Sequence, residues 1–142
     1  MAGFLALGND QYLGGYNAAA NVENGVFVVL NHAAKTGSVA NATTGDGDVY
    51  FVENEIETIV EQGIDDVNFV VKAGKGLRLH KPQKGEVLVS TKFNGTLAEG
   101  DTVAVGVGGA VEAVGARTPQ VKFVVKELTT AYGTNAVKLL VL

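Results

Sequence analysis

Side chains that could form a nucleophilic catalytic site are scarce in this sequence. It contains two serines, Ser38 and Ser90, two histidines, His32 and His80, and no cysteine. Neither serine lies in the Gly-x-Ser-x-Gly turn that presents the nucleophile of many hydrolases. A triad also needs a base beside the nucleophile and an acid behind the base, whereas His80 beside Lys81 is predicted to be a solvated residue at a strand end. We therefore predict that the protein is not an enzyme.

The acidic and glycine-rich segments do not predict a metal or cofactor site. Asp46-Gly47-Asp48 matches the start of a calcium loop, but Tyr50 stands where the third ligand is needed, which favours a polar turn. Glu53, Glu55 and Glu57 alternate along one face of a predicted strand. A glycosidase needs two carboxyls about 5–9 Å apart across a cleft, so a solvated face is the better interpretation. The glycine-rich segments lack the spacing of phosphate-binding loops.

Charged residues are segregated along the chain. Residues 46–66 contain eight acidic residues and no lysine or arginine. Five basic residues then follow at every third position, with no acidic residue between them: Lys72, Lys75, Arg78, Lys81 and Lys84. One interpretation is pairing within the molecule and solubility, since isolated surface pairs contribute only about 0–1 kcal/mol. The other is a docking surface, in which these five residues and Glu53, Glu55 and Glu57 orient neighbouring molecules.

Short apolar runs separated by turn sequences predict an all-β fold, a small antiparallel barrel or sandwich. Asn94-Gly95 predicts a tight hairpin because both residues tolerate positive φ, and residues 99–101 and 106–109 predict two further reversals. A turn at residues 132–135 joins the last two strands. The first strand lacks alternation, which indicates burial on both faces or a position at the centre of the core. The predicted strands are residues 26–30, 49–52, 67–71, 77–80, 87–89, 103–105, 111–114, 121–128 and 136–142.

Residues 53–66 fit two kinds of secondary structure. As a helix, the segment would be capped by Asn54, with Glu57 completing a capping box, and would end at Gly63. As extended chain, the segment would place its glutamates outward and its apolar residues inward. Extended chain is favoured by the β-branched residues Ile56, Thr58, Ile59 and Val60.

The first 24 residues are rich in glycine, alanine and asparagine and show no sustained apolar period. One interpretation is a disordered leader, because chain termini are loose unless they are tied down. The other is an extended arm that docks on a neighbouring subunit, with single apolar anchors that each fill one pocket. The anchors would be Phe4, Leu5, Leu7, Tyr12, Leu13 and Tyr16. The predicted organisation is an N-terminal arm at 1–24 and one β-domain at 25–142.

The amino-acid composition of the chain indicates which kinds of partner the protein binds. The net charge of −4 argues against a nucleic-acid binder, whose footprint is usually basic. No apolar segment approaches the roughly 18 residues of a membrane span, and the N-terminus does not have the pattern of a secretory signal, so we expect synthesis in the cytoplasm. Charged residues make up 18% of the chain and the mean hydropathy is +0.20, which indicates apolar surface covered by another protein chain.

The sequence between Val71 and Val114 resembles that of the capsid decoration, or cement, proteins of tailed bacteriophages. Three features are shared, in this order along the chain. They are a strand containing Leu-Arg-Leu at residues 76–79, the sequence Gly-Glu-Val-Leu-Val-Ser at residues 85–90, and a Gly-Asp-x-Val strand that is followed by a glycine-rich hairpin. The resemblance implies a virion protein that binds the outer surface of an assembled capsid. Its implied partner is the major capsid protein, its implied state is a homo-oligomer, often a trimer, and no catalysis or cofactor is implied.

Two alternatives to a decoration protein stay open. One is a tail or head-fibre component of the virion. The other is a β-sandwich module that binds carbohydrate or another ligand. Such modules usually present exposed aromatic side chains, whereas this chain has no tryptophan and four tyrosines.

Overall fold

The computed structural model describes residues 12–54, 70–131 and 133–142, which form an all-β fold, as predicted. Apart from two short 3₁₀ turns, Thr44–Asp46 and Val107–Gly109, these residues contain no helix, and thus none that could cross a membrane. Their strands are β1 Tyr12–Leu13, β2 Asn17–Ala18, β3 Val22–Glu23, β4 Phe27–Asn31, β5 Thr36–Val39, β6 Tyr50–Val52, β7 Val70–Val71, β8 Leu79–His80, β9 Val87–Ser90, β10 Thr102–Val105, β11 Val111–Ala113, β12 Phe123–Ala131 and β13 Thr134–Val141. Phe4, Leu5, Leu7, Glu55, Glu57 and residues 55–66 of the ambiguous segment lie outside the described ranges.

Two sheets carry most of the strands. The first sheet has the order β1–β8–β6–β4–β5–β2, antiparallel except between β2 and β5. The second has the order β11–β10–β12–β13–β9 and curls into about half of a barrel. A small pair, β3 with β7, completes the fold. Every pairing between two of these strands except that of β2 with β5 is antiparallel.

Both faces of the first sheet are buried. On the face towards the second sheet, the Phe27 ring lies 5.1 Å from that of Phe51 and 5.3 Å from that of Phe123, measured between centroids. On the opposite face, Val28 and Val52 belong to a second apolar cluster with residues of the N-terminal segment. Neighbouring residues of β4 therefore enter different cores. This confirms the prediction that the strand at residues 26–30 is buried on both faces.

The N-terminal segment differs from the predicted arm over its described part. β1, β2 and β3 pair with β8, β5 and β7, so residues 12–24 belong to the same sheets as the rest of the domain. Tyr16 is 8% exposed, and Ala18 and Val22 are also buried. These small and aromatic side chains cover the second face of the first sheet, which explains the burial. The Tyr16 side chain is thus a core residue of its own chain and has little surface to offer a neighbouring subunit.

The predicted hairpin at Asn94-Gly95 is wrong. β9 pairs with β13 and not with β10, although Gly95 does have a positive φ of 75°. The segment after β9 runs beside β11 instead, with Phe93 bridged to Val111 and Asn94 donating from its backbone N–H to the Val111 carbonyl. Leu97 of this segment is buried. The chain therefore runs along the core here, whereas a tight turn at Asn94-Gly95 would have left the Leu97 side chain in solvent.

The other predicted reversals are present. Gly100 has a φ of 89° in the turn before β10, and the 3₁₀ turn at Val107–Gly109 joins β10 to β11. The last hairpin is tighter than predicted, because Ala131 already pairs with Thr134.

Candidate docking surface

The basic row, defined as Lys72, Lys75, Arg78, Lys81 and Lys84, is exposed along its whole length. Between its members, Leu77 and Leu79 are buried, at 4% and 0% exposure. Around Arg78, the alternation of Leu77, Arg78 and Leu79 follows from the period of two in extended chain, which sends neighbouring side chains to opposite faces. The local sequence therefore places Leu77 and Leu79 in the core and Arg78 on the surface.

Backbone hydrogen bonds hold the first half of the basic row against the N-terminal segment. Ala18 donates to the carbonyl of Lys75 at 2.8 Å, and Leu77 donates to the carbonyl of Tyr16 at 2.8 Å. A tight turn brings Lys72 and Lys75 together, since the Lys75 N–H donates to the Lys72 carbonyl. The row thus stands on ordered strands and turns, which reduces the entropy lost when such a surface binds a partner.

Asn54 links three segments beneath the row. Its side chain accepts from the backbone N–H of Arg78 at 2.7 Å and donates to the Gly76 carbonyl at 2.9 Å. Its own backbone exchanges two hydrogen bonds of 2.8 Å with the Asn24 side chain. From the sequence, Asn54 has a role only in the helical alternative for residues 53–66, as its cap, because nothing local indicates contacts 22 to 30 residues away.

The acidic residues of the predicted docking surface are only partly described. Glu53 is exposed, and its backbone N–H donates to the Arg78 carbonyl at 3.0 Å. The acidic and basic segments therefore adjoin each other in one molecule at this point. Exposed charges at Glu53 and Arg78 are compatible with both interpretations of the charge pattern, internal pairing and docking.

Asp46 has a structural role that the sequence did not indicate. Its carboxylate accepts from Arg117 at 2.7 and 2.9 Å, and the same guanidinium donates to the Val105 carbonyl. Glu112 lies 3.9 Å from another nitrogen of Arg117. The predicted polar turn at Asp46 is confirmed as a 3₁₀ turn. No group of three or more potential metal-binding side chains occurs within the described ranges.

His80 is buried, so the prediction of a solvated strand end is wrong. Only 5% of the residue is exposed, because β8 lies between β1 and β6, opposite Tyr12 and Phe51. The His80 Nε2 atom lies 2.8 Å from a carboxylate oxygen of Glu86. The other oxygen of Glu86 accepts from the backbone N–H of Gln83. Glu86 immediately precedes β9, so this pair joins an edge region of the first sheet to the second.

Ser90 and His32 make structural contacts. The Ser90 hydroxyl donates to the Gly25 carbonyl at 2.7 Å and accepts from the Lys92 backbone at 3.0 Å. The Tyr16 hydroxyl lies 2.6 Å from the Nδ1 atom of His32. These contacts join serine or histidine to groups other than each other, so they do not assemble a nucleophile with its base.

The outer face of the second sheet carries an apolar strip beside one ion pair. Val87 and Val89 of β9 are 44% and 43% exposed, and Leu140 pairs with Val87. Next to the strip, Lys138 donates to Glu127 at 2.8 Å. This hydrogen bond, with the charge of Lys138 and a smaller contribution from Lys126, lowers the pKa of the Glu127 carboxyl. The Glu127 carboxyl is therefore ionised at neutral pH, and its pairing with Lys138 weakens as acid protonates it.

Comparison with known proteins assigns no family to this chain. No protein-family model matches the sequence, and no curated protein matches it significantly. The structural observations that bear on function are therefore the all-β fold and the exposed basic row.

Proposed function

We propose that this protein is a non-enzymatic structural protein of a phage virion that binds the exterior of the assembled capsid as a decoration protein. The observation that carries the proposal is the basic row, which lies inside the resembling segment and whose five members are all exposed. Leu77 and Leu79 on either side of Arg78 are buried, so the Arg78 side chain points to the opposite, exposed face. The partner is the major capsid protein, and the protein acts there as a homo-oligomer, a trimer by the resemblance.

The basic row suits recognition of an acidic surface. The whole chain has a net charge of −4, so a local run of five basic residues creates a surface opposite in sign to the rest of the molecule. Complementary potentials mainly speed encounter and set orientation, while apolar contacts supply most of the affinity. The exposed Val87 and Val89 show that apolar surface is available on the same domain.

A carbohydrate-binding module is less well supported. Such a module needs aromatic rings on its surface, but Tyr16 and Tyr50 are each only 8% exposed. A tail or head-fibre role shares the fold and the surface with the decoration role. A tail protein would differ in its partner, because it would bind other tail proteins and not the capsid shell.

The docking role of the basic row predicts a change in association rate. We expect Lys72→Glu with Lys75→Glu to slow binding to capsids about tenfold at low salt, because charge steering is lost. Dissociation should change much less, and the unfolding free energy should stay nearly constant because both side chains are exposed. Surface plasmon resonance at two salt concentrations measures both rates. The difference from wild type should shrink at high salt, where exposed charges are screened.

The matched control is Lys122→Glu with Lys126→Glu, which makes the same change in net charge at two exposed positions, one just before β12 and one within it. This variant should keep most of the wild-type association rate. If both double variants slow association equally, overall charge and not the basic row governs encounter. An unchanged rate in the first variant would make the row a solvated surface.

A further inference from the structure

The strand β9 forms one edge of the second sheet. Within the described residues it pairs only with β13. It contains no charged residue and no proline, and its outward side chains Val87 and Val89 are nearly half exposed. Natural proteins usually protect such an edge with charges, proline, a bulge or a covering segment. The β9 edge is therefore suited to pairing with another strand.

The backbone of β9 is oriented to receive that strand. The Glu86 carbonyl accepts from the backbone N–H of Val141 in β13 at 2.9 Å. In an antiparallel ladder, residues whose polar backbone groups bond one neighbour alternate with residues whose groups point to the other side. Leu88 and Ser90 accordingly face β13, and the N–H and C=O groups of Val87 and Val89 point to the open edge.

An apolar row on the outer face of the second sheet ends at the same edge. Val124 of β12 pairs with Leu140 of β13, and Leu140 pairs with Val87 of β9. Residues directly opposite each other share one face of a sheet, and all three of these side chains are at least partly exposed. The row therefore crosses three strands without a charge and stops at Val87.

We propose that the β9 edge pairs with the β9 edge of a second copy of this chain, antiparallel and about a two-fold axis. A second copy fits because it presents the same uncharged, apolar edge, whereas β9 has no charge with which to attract a charged partner. Val87 of each copy then lies opposite Val89 of the other. Both pairs exchange two backbone hydrogen bonds, because the polar groups of both residues point outward.

The backbone groups select this register. A shift by one residue would set the outward groups of Val87 opposite Leu88, whose own groups bond β13. A shift by two residues would leave one valine of each copy opposite a residue beyond the end of β9, which spans Val87–Ser90. Only the register of Val87 with Val89 therefore uses all the outward groups of both strands.

The same register joins the apolar surfaces of the two copies. On the outer face, the two exposed valines of one copy pack against those of the other. The row of Val124, Leu140 and Val87 then continues into Val89 of the second copy. Leu88 lies opposite Leu88 of the second copy on the inner face. Cross-strand contacts between β-branched and other apolar side chains are the kind that stabilise a sheet.

This pairing goes beyond the proposed function, because it depends on the β9 edge and not on a capsid. A two-fold contact closes after two copies, so it is separate from any contact that forms the proposed trimer. Each copy contributes a strand of four residues, which is smaller than the interfaces of stable complexes. The pairing should therefore be reversible and should increase with protein concentration.

Disulfide trapping tests the register, because the chain contains no cysteine of its own. Hydrogen-bonded partners in an antiparallel pair have Cα atoms about 5.5 Å apart, which a disulfide can bridge, whereas diagonal neighbours are about 7–8 Å apart. A mixture of Val87→Cys and Val89→Cys proteins should thus form a mixed disulfide dimer at least about tenfold faster than either protein alone. Mass spectrometry identifies the dimers. Equal rates in the mixture and in the separate proteins, or no dimer in any of them, would overturn the proposal.

Sedimentation velocity tests the pairing without a covalent bond. The mass of the wild-type particle should double as the protein concentration rises. Val89→Lys should abolish this doubling, because a lysine on an edge strand blocks pairing. The matched control is Val107→Lys, the same change at a valine outside β9 that is 63% exposed, and it should double in mass like the wild type. A wild-type mass that is constant at every concentration, or equal behaviour of the two variants, would contradict pairing through β9.

Discussion

Replacement of Phe27 by alanine is expected to lower the free energy of unfolding by about 3–5 kcal/mol. Phe27 is fully buried, and its ring contacts Phe51 in its own sheet and Phe123 in the other sheet. The substitution removes apolar contacts from both sheets and leaves a cavity between them. Because small domains have only about 5–15 kcal/mol of stability, this loss is a large fraction of the total. Urea denaturation followed by circular dichroism measures it.

The control for this experiment is Val107→Ala. Val107 is 63% exposed at the hairpin between β10 and β11, so its truncation should change the unfolding free energy by less than about 0.5 kcal/mol. If Phe27→Ala costs no more than this control, the two sheets are not joined through the Phe27 ring, and the described core is wrong.

A second large effect is expected at Gly109. Its φ is 70°, and a Cβ atom there would lie 2.5 Å from the carbonyl oxygen of Phe27 and 3.0 Å from the Val39 side chain. The carbonyl belongs to β4, a central strand, and cannot move without disturbing the pairing of the first sheet. Gly109→Ala should therefore cost about 2–4 kcal/mol, the sum of backbone strain and overpacking. Thermal unfolding of the variant measures the loss.

Gly108 provides a matched control one residue earlier. Its φ of 69° is nearly the same, but a Cβ atom there meets no other atom within 4 Å. Gly108→Ala should thus show only the strain of the left-handed conformation, about 1–2 kcal/mol. Equal losses at Gly108 and Gly109 would mean that the hairpin does not pack against β4 as described.

Apolar runs identified the strands, but could not order them in the sheets. The prediction for residues 26–30 agrees with β4 to within one residue, because an unbroken apolar run carries its own signal of double-sided burial. The order of the second sheet has no such local signal. The C-terminal β13, and not the sequence neighbour β10, lies beside β9. The turn residues Asn94-Gly95 permit a reversal, but packing of Leu97 decides the path of the chain.

On the surface too, features set by neighbouring residues could be predicted, whereas contacts between distant segments could not. Exposure of Arg78 could be predicted, because its alternation with Leu77 and Leu79 is a property of neighbouring residues. The pair of Asp46 with Arg117 joins positions 71 residues apart, so no local pattern indicates it. His80 was mistaken for a solvated residue because its neighbour Lys81 is charged, whereas its burial depends on β1, which precedes it by almost 70 residues.

Co-sedimentation with capsids tests the proposed function most directly. The capsids would be assembled from the major capsid protein encoded in the same genome, and purified protein would be added at increasing concentration. A decoration protein should pellet with the shells, saturate at a fixed number of copies per capsid, and leave unassembled capsid protein unbound. Protein that stays in the supernatant at every concentration, while the shells pellet, would contradict the proposal.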